Sequence, residues 1–433
     1  MVPNKTMPVA SSVVRTIKLA CLLAAWLTLC ATPVQVLAVG VMGTYIVNAS
    51  SLYVRRDANT TSPVLATLQR NEQVQVSGAV GSFYRVTTGA GVSGYCLAQY
   101  LTKKTAVVLD PALPPDWASK YIDTGKATKY LYAQVQQDMN ELVAAYGNSR
   151  VATIGTTTWG TPIKALVLGN ASASQHVLVQ AAIHGRECIT TAVAMRQAEN
   201  LLRAAKEGAS VNGVKISTLL KQAEIWVVPV ANPDGVALSQ LGASAAPAAK
   251  RTQVLAINGN NADFSRWKAN GRGVDLNRNF DYGWKIDPNY PRPAPSMYSG
   301  PGPFSEPESK ALRDLTLQKR FDLTMSYHIT GQMVYWYSSA QIAAQNSVNR
   351  SLAMDLNSLT GYTILPTSAQ DENGGYRDWY MAKYPKPGFT IEMATGYAPV
   401  PQSQYASIWS QNRYVLLRMV WGIMPNVIKF PHK

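Results

Sequence analysis

The sequence is short of charge: only 15% of its 433 residues are Asp, Glu, Lys or Arg, while 47% are apolar. That balance excludes a disordered chain. No run of 18 or more apolar residues follows position 40, which excludes a multi-spanning membrane protein. Cysteine is scarce as well. Of the four present, Cys21 and Cys30 lie near the N-terminus, and Cys96 and Cys188 fall in different modules, so no disulfide framework is expected and stability must come from packing. Acids are the rarer charge, 25 against 40 Lys and Arg, and the net +15 favours an anionic partner: nucleic acid, anionic lipid or acidic wall polymer. Charge alone does not choose among these. At about 150 residues per domain, the length suggests two or three domains.

Lys5, Arg15 and Lys18 precede the apolar run Leu19 to Leu29, and Val36-Leu37-Ala38 places small residues around a cleavage point. Together they read as a secretory signal peptide over residues 1–38, hence a secreted protein. The apolar core of about 13 residues is too short to span a bilayer, so no integral membrane association is expected after cleavage. The triplets before Cys21 and Cys30 match the lipoprotein acceptor pattern poorly, and lipidation is not expected. Residues 1–38 hold three cations and no acid, so the processed chain keeps +12.

Over residues 43–104 short alternating runs are broken by turn residues: Ser51–Arg55, Pro63–Leu68, Gln73–Val76 and Phe83–Val86. Period-two patterning at this spacing predicts a small all-β barrel. The strings "VNASSLYVRRDANTTSPVLATLQRNEQVQV", "SFYRV" and "GYCLAQYL" resemble a bacterial SH3-like domain, a module that in secreted proteins commonly binds peptidoglycan. The plainer alternative is a generic barrel that packs on its neighbour. Residues 105–126, with Pro111, Pro114 and Pro115, read as a semi-rigid linker. Beyond them, over 127–430, apolar residues at helical spacing (Tyr130 to Tyr146) give way to alternating elements. Strands are expected at Ala165–Leu168, His176–Ile183 and Ala223–Val230, with a helix from Thr190 to Ala205. This predicts a doubly wound α/β domain with a mixed, mostly parallel sheet, its ligands at the carboxyl ends of the strands.

Two of four histidines stand where strands run out. "HVLVQAAIHGRE" ends at His184 with Glu187 three residues on, and "FDLTMSYHITG" ends another strand at His328. A His-x-x-Glu pair and a later His can supply the three ligands of an open catalytic zinc site. The spacing alone is weak, since a lone His is more often a hydrogen-bonded structural residue. Further strings follow in order: "RWKANGRGVDLNRNF" (266–280) and "GFTIEMATG" around Glu392. The set resembles the zinc carboxypeptidase family over roughly 130–428. The similarity is greatest to the bacterial branch that hydrolyses the γ-D-glutamyl–diaminopimelate bond of peptidoglycan.

The resemblance implies one Zn2+ held by His184, Glu187 and His328, with Glu392 as general base and acid. It implies that Asp275 orients His184, and that Asn277 and Arg278 grip the substrate's free carboxylate, a task suited to a planar guanidinium. Arg266 matches the arginine that holds the developing oxyanion. A two-residue insertion displaces it, leaving Lys268 or Arg272 as alternatives. In "GGYRDW" the family's pocket-base position is Arg377, which implies a negatively charged group in the pocket, because an unpaired buried guanidinium would be costly. Diaminopimelate supplies one, and so would a C-terminal Glu or Asp. The substrate-closing tyrosine of many relatives aligns near Gln370, with Tyr376 as a substitute. Cys188 reads as a packed thiol beside Glu187.

Three readings follow: a zinc peptidase acting on peptidoglycan stem peptides, a general metallocarboxypeptidase releasing C-terminal, including acidic, residues, and a wall-binding protein with an inert catalytic domain. The complete ligand set with Glu392 argues against the last. Nucleic-acid binding has no motif to accompany the charge. The segment before Tyr130 is too short for a folded pro-domain, so activity on secretion is expected.

Overall fold

The computed structural model describes residues 43–70, 72–103, 113–211, 213–367 and 372–424. The signal peptide read over 1–38 lies outside the described residues. The first module holds β1 (Gly43–Val47), β2 (Ser51–Arg55), β3 (Val64–Gln69), β4 (Gln73–Val80), β5 (Phe83–Thr88), β6 (Ser93–Leu97) and β7 (Leu101–Lys103). They pair antiparallel in the order β3-β2-β6-β5-β4-β1-β7. Alternation builds its core: in β2, Leu52 and Val54 are buried while Ser51 and Tyr53 face out. Val47, Val74, Val86 and Cys96 join them inside. Gly94 is required in β6, because a Cβ there would lie 2.5 Å from the Arg55 carbonyl oxygen.

The larger body begins with α1 (Tyr132–Tyr146), β8 (Ser149–Thr156), β9 (Pro162–Gly169), β10 (Gln175–Ala181) and α2 (Ile189–Lys206). A short pair, β11 (Ser210–Val211) and β12 (Val214–Lys215), leads to α3 (Ile216–Gln222), β13 (Ala223–Val228), α4 (Pro233–Leu241) and α5 (Arg251–Ile257). Then come α6 (Pro307–Lys319), β14 (Leu323–Ile329), β15 (Met333–Tyr335), α7 (Ala343–Thr360), β16 (Thr363–Ile364), α8 (Tyr376–Lys383), β17 (Gly388–Met393), α9 (Tyr405–Asn412) and α10 (Val415–Gly422). Eight strands form one sheet, β16-β15-β17-β14-β10-β13-β9-β8. β13, β10, β14 and β17 run parallel, as the alternation predicts. β9, which contains the expected strand Ala165–Leu168, pairs antiparallel with β13. Residues 170–174 between β9 and β10 are too few for the crossover of a dozen or more residues that parallel strands need.

Period two sorts the central strands onto two cores. Val177, Val179, Ile225, Val227, Met325 and Tyr327 meet α1, α2 and α10 on one face. Leu178, Trp226 and Val228 meet α6 and α8 on the other. β13 and β14 are buried at every position, as strands covered by helices on both faces must be. The described part of the proline-rich segment, 113–126, is laid along α2 and α9 rather than standing free. Buried Glu199 accepts the backbone N–H of Lys120 at 2.7 Å, Trp409 Nε1 donates to Asp116 at 3.0 Å, and Ile122 enters the core. Among the described residues no helix is long and apolar enough to cross a membrane.

At the opposite end of the strands from His184 and His328, fully buried Glu224 meets Arg150 Nη2 at 2.5 Å, Lys319 Nζ at 2.9 Å and His176 Nδ1 at 3.0 Å. Burial alone would raise its carboxyl, but contacts with Trp226, Lys319 and Arg150 outweigh it and hold the group at about 2. A depressed carboxylate contributes stability that is present above its unfolded value near 4.5 and is lost as pH falls through the folded one. Thermal melts should therefore steepen their decline between pH 4.5 and 2 in the wild type. Glu224→Gln should start about 3 kcal/mol less stable at pH 7 and show a flatter decline, because removing one partner of a buried pair strands the other charges. Parallel profiles for the two proteins would refute this.

Candidate active site

β10, β14 and β17 are neighbours, so whatever leaves their carboxyl ends converges. β10 ends at Ala181, and the chain turns through Ala182 at φ +47° to deliver His184. Gly185 allows that turn to seat on α4: a Cβ there would lie 2.3 Å from the Gly235 carbonyl oxygen. One short turn, Gly185–Glu187, then brings Glu187 back under His184. His328 is the penultimate residue of β14 and stands in register with Glu392 of β17.

The result is a tight buried trio. His184 Nδ1 is 2.8 Å from Glu187 Oε1, and His328 Nδ1 is 3.1 Å from both Glu187 Oε2 and His184 Nδ1. Ligands held about 2.0–2.2 Å from a tetrahedral ion stand about 3.3 Å apart, so this spacing suits zinc. Burial would raise the Glu187 carboxyl, but His184 and His328 outweigh it and keep it ionised. His328 Nε2 is buried without a hydrogen-bond partner, so the polar face of the ring that is satisfied is the one aimed at the trio. The donor set fits a zinc ion.

Asp275, fully buried, ties three parts of the site together. Its Oδ1 lies 3.2 Å from His184 Nε2, its Oδ2 lies 3.2 Å from Lys268 Nζ, and Arg278 Nε is 3.9 Å from Oδ2. Burial opposes ionisation, yet Lys268, His184 and Arg278 hold its carboxyl well below the usual range. Glu392 behaves oppositely. Its Oε2 is buried without a hydrogen bond, and burial, with Glu187 nearby, pushes the carboxyl up to about 7 against the pull of His328, Lys268 and Arg186.

The loop carrying "RWKANGRGVDLNR" separates the three candidate cations in space. Lys268 lines the cavity, and its carbonyl accepts the Gly185 N–H at 3.0 Å, which docks this loop on the His184 turn. Arg266 is exposed and offers only its carbonyl, to Arg186 Nη1 at 3.4 Å, while Arg272 points at Glu306, 3.8 Å away. The structure thus brings Lys268, rather than Arg266, to the cavity. Asn277 and Arg278 line the same cavity, Asn277 Oδ1 accepting the Tyr376 N–H at 3.1 Å. Gly374, at φ +81°, lets this segment close up, since a Cβ there would lie 2.7 Å from the Arg278 carbonyl oxygen.

Tyr376 is not a substrate clamp. It is fully buried, its hydroxyl pairs with Thr316 Oγ1 at 2.8 Å, and its ring packs among Phe280, Trp379 and Tyr380. The first turn of α8 points it into the core instead of the cleft. Gln370 lies outside the described residues. Arg377 does line the cavity, but its guanidinium is not unpaired: Nε and Nη2 both engage Asp378 Oδ1, and the group lies 5.4 Å from the Tyr335 ring centroid. Cys188 is the packed thiol expected, donating to the Thr128 carbonyl at 3.0 Å, with burial pushing its titration up.

The cavity, about 250 Å3, is also lined by Tyr335, Asn373 and Thr390. Among the described residues no aliphatic side chain lines it, and three cations do: Lys268, Arg278 and Arg377. Sequence reasoning missed these extra residues. Thr390 was readable, two positions before Glu392 on one face of a strand. Tyr335 was not, because it reaches the site only by pairing with Thr390 across β15 and β17.

A buried His-Glu-His trio at strand ends, facing a carboxylate and a cationic cleft, defines a metallopeptidase. Residues 135–415 match the zinc carboxypeptidase family and residues 50–102 the bacterial SH3 domain. The chain belongs to the zinc carboxypeptidase family. It is 31% identical over 284 residues to gamma-D-glutamyl-L-diamino acid endopeptidase 1 of Lysinibacillus sphaericus, covering 65% of this chain and 70% of that one. It is 27% identical to carboxypeptidase A2 of Mus musculus, covering 61% and 62%. Among solved structures, thrombin activatable fibrinolysis inhibitor shares the fold at a TM-score of 0.56 and 20% identity, over 74% of this chain and 83% of that one. Carboxypeptidase A from Helicoverpa armigera does so at 0.51 and 22%, over 67% and 73%.

Proposed function

We propose that this protein is secreted and hydrolyses the γ-D-glutamyl–diaminopimelate bond of peptidoglycan stem peptides, held at the wall by its SH3-like module. The observation that carries the reading is the cavity wall, with three cations and, among the described residues, no aliphatic side chain. Such a wall disfavours apolar termini, whose burial would gain nothing there, and favours a leaving residue rich in carboxylate. The Arg377–Asp378 pair sharpens it. A cation and an anion side by side complement a side chain ending in both a carboxylate and an ammonium, as the distal centre of diaminopimelate does; a C-terminal Glu offers only the carboxylate. The similarity to an endopeptidase named for a γ-D-glutamyl-diamino acid bond points the same way.

In the reaction Arg278 and Asn277 hold the leaving residue's carboxylate and fix the scissile bond between Glu392 and Lys268. Glu392 takes a proton from the attacking water and delivers it to the departing amine, which its raised pKa suits. Lys268, fixed by Asp275, faces the oxygen on which negative charge grows. His184, Glu187 and His328 would hold the zinc, whose chemistry is to lower the pKa of water towards 7 and to polarise a carbonyl.

The test is mass spectrometry of products from L-Ala-γ-D-Glu-meso-diaminopimelate and from a panel of α-linked peptides, each with and without a zinc chelator. Chelator-sensitive release of diaminopimelate alone is the expected result. Trimming of ordinary C-termini alone would overturn it in favour of a general carboxypeptidase. Arg377→Met should lower kcat/KM on the wall peptide by about 10-fold or more, the scale of a lost charged hydrogen bond, and raise activity on peptides ending in Leu. An unchanged ratio between the two substrates would remove Arg377 from specificity.

A further inference from the structure

The outer face of the first module takes no part in the reaction scheme, and period two with the strand register says what it presents. Arg55 of β2 pairs directly with Tyr95 of β6, and Tyr95 pairs directly with Arg85 of β5. Their chain neighbours Val54, Cys96 and Val86 point into the core, so Arg55, Tyr95 and Arg85 share the opposite face. They make one row across three strands, the two arginine backbones about 10 Å apart. Beside the row on the same face stand Tyr53, Leu97 and Phe83 on one side, and Thr87 and Ser93 on the other, their hydroxyls 3.0 Å apart. Arg85 is exposed, and its guanidinium has no hydrogen bond or ion pair among the described residues. Tyr53 is 49% exposed, with the Arg55 guanidinium 5.3 Å from its ring centroid. Arg55 Nη1 donates to the Ser62 carbonyl at 2.7 Å, which fixes the side chain in place. None of these face positions is Asp or Glu. Asp57, just past β2, is engaged by Ser62 Oγ at 2.9 Å and by Arg56 Nε at 3.9 Å.

We propose that the Arg55–Tyr95–Arg85 row is a docking face for the carboxylates of peptidoglycan stem peptides, separate from the catalytic cleft. Charge complementarity selects the occupant: two guanidinium groups, each a planar fork that matches a carboxylate, flank a ring, and no acid on the face repels an anionic chain. Three residues of extended peptide span about 10 Å, so acidic groups of one stem peptide reach both arginines. The Tyr95 ring between them gives a flat apolar surface for the intervening backbone, and Tyr53 and Leu97 extend it. Arg55, already held by Ser62, loses little freedom when it grips. Two arginines make a weak site. It suffices on a repeating polymer, because the cleft of the same chain grips the same kind of peptide and each contact raises the effective concentration for the other. The inference deepens the wall-directed reading above and rests on it for the identity of the polymer.

Cosedimentation of the full-length zinc protein with purified diaminopimelate-type sacculi, on ice, reads the face. Arg85→Glu should weaken binding about 10-fold or more, the scale of a lost charged contact, and flatten its dependence on salt. Its melting temperature should stay at the wild-type value, since the Arg85 side chain has no bond to lose. Tyr53→Ala should weaken binding in the same direction. Each variant is also compared in an Arg278→Met background, where the grip of the cleft on stem peptides is removed and the face alone is read. Sacculi whose carboxylates have been amidated should bind the wild type as poorly as intact sacculi bind Arg85→Glu. Sacculi stripped of phosphate polymers should bind it as well as unstripped ones. Wild-type binding by Arg85→Glu in the Arg278→Met background would overturn the proposal, as would binding that survives amidation or disappears with the phosphate polymers. Cosedimentation needs no cleavage, whereas the peptidase reading is tested on the soluble tripeptide, so failure of one is distinguishable from failure of the other.

Discussion

Glu392→Gln is expected to lower kcat by about 10²–10⁴-fold, the usual range for a positioned general acid–base group, with KM and zinc content close to wild type. The substitution keeps the shape of the side chain and removes its ability to carry a proton. Because Glu392 stands in register with His328 yet contributes no atom to the His184–Glu187–His328 trio, metal loading should survive. Its Oε2 has no hydrogen bond to lose, so the folded state should change little. Steady-state kinetics with metal analysis checks this. A kcat within a factor of a few of wild type would remove Glu392 from proton transfer.

The second large effect separates two neighbouring cations. Lys268→Ala should cost about 10²–10³ in kcat, the scale seen when one fixed donor to a developing oxyanion is removed. Arg266→Ala, two residues away, should leave kcat and KM unchanged, because Arg266 is exposed and contributes a carbonyl only. Lys268 also compensates Asp275, whose carboxylate is fully buried, so Lys268→Ala should lower Tm as well. Lys268→Met, closer in volume, gives the control for packing. Equal losses from Lys268→Ala and Arg266→Ala would mean that the cavity cation is held elsewhere.

Much of this was legible in the sequence because its signals are local. Alternation in Ser51–Arg55 and Phe83–Thr88 marks the first module's strands, and the largely apolar run before His184 and the strand-like run before His328 mark strands of the second. The metal trio and Glu392 lie at the ends of those runs. What was not legible depends on distance in space. Arg266 matched the family's arginine, with Lys268 and Arg272 as alternatives, and only the folded course of the loop shows that Lys268 lines the cavity while Arg266 stays exposed. Tyr376 looks like a cleft residue until the first turn of α8 places it among Phe280, Trp379 and Tyr380. The Arg377 guanidinium was expected to need a partner from the substrate, yet adjacent Asp378 engages it. The antiparallel sense of β9 follows from a loop length that the apolar pattern does not display.

A cleft walled largely by ions and amides, with no aliphatic side chain among the described residues, also sets how affinity responds to the medium. Substrate capture there releases little water from apolar surface, so binding should carry a small heat-capacity change. Its strength comes from Coulomb contacts, and the approach of an anionic peptide is drawn by the field of Lys268, Arg278 and Arg377. At an ionic strength near 0.15 M that field is screened beyond about 8 Å, so added salt slows encounter first and weakens the seated complex less. On the reading proposed above, turnover of an anionic stem peptide should therefore be fastest where mobile ions are few.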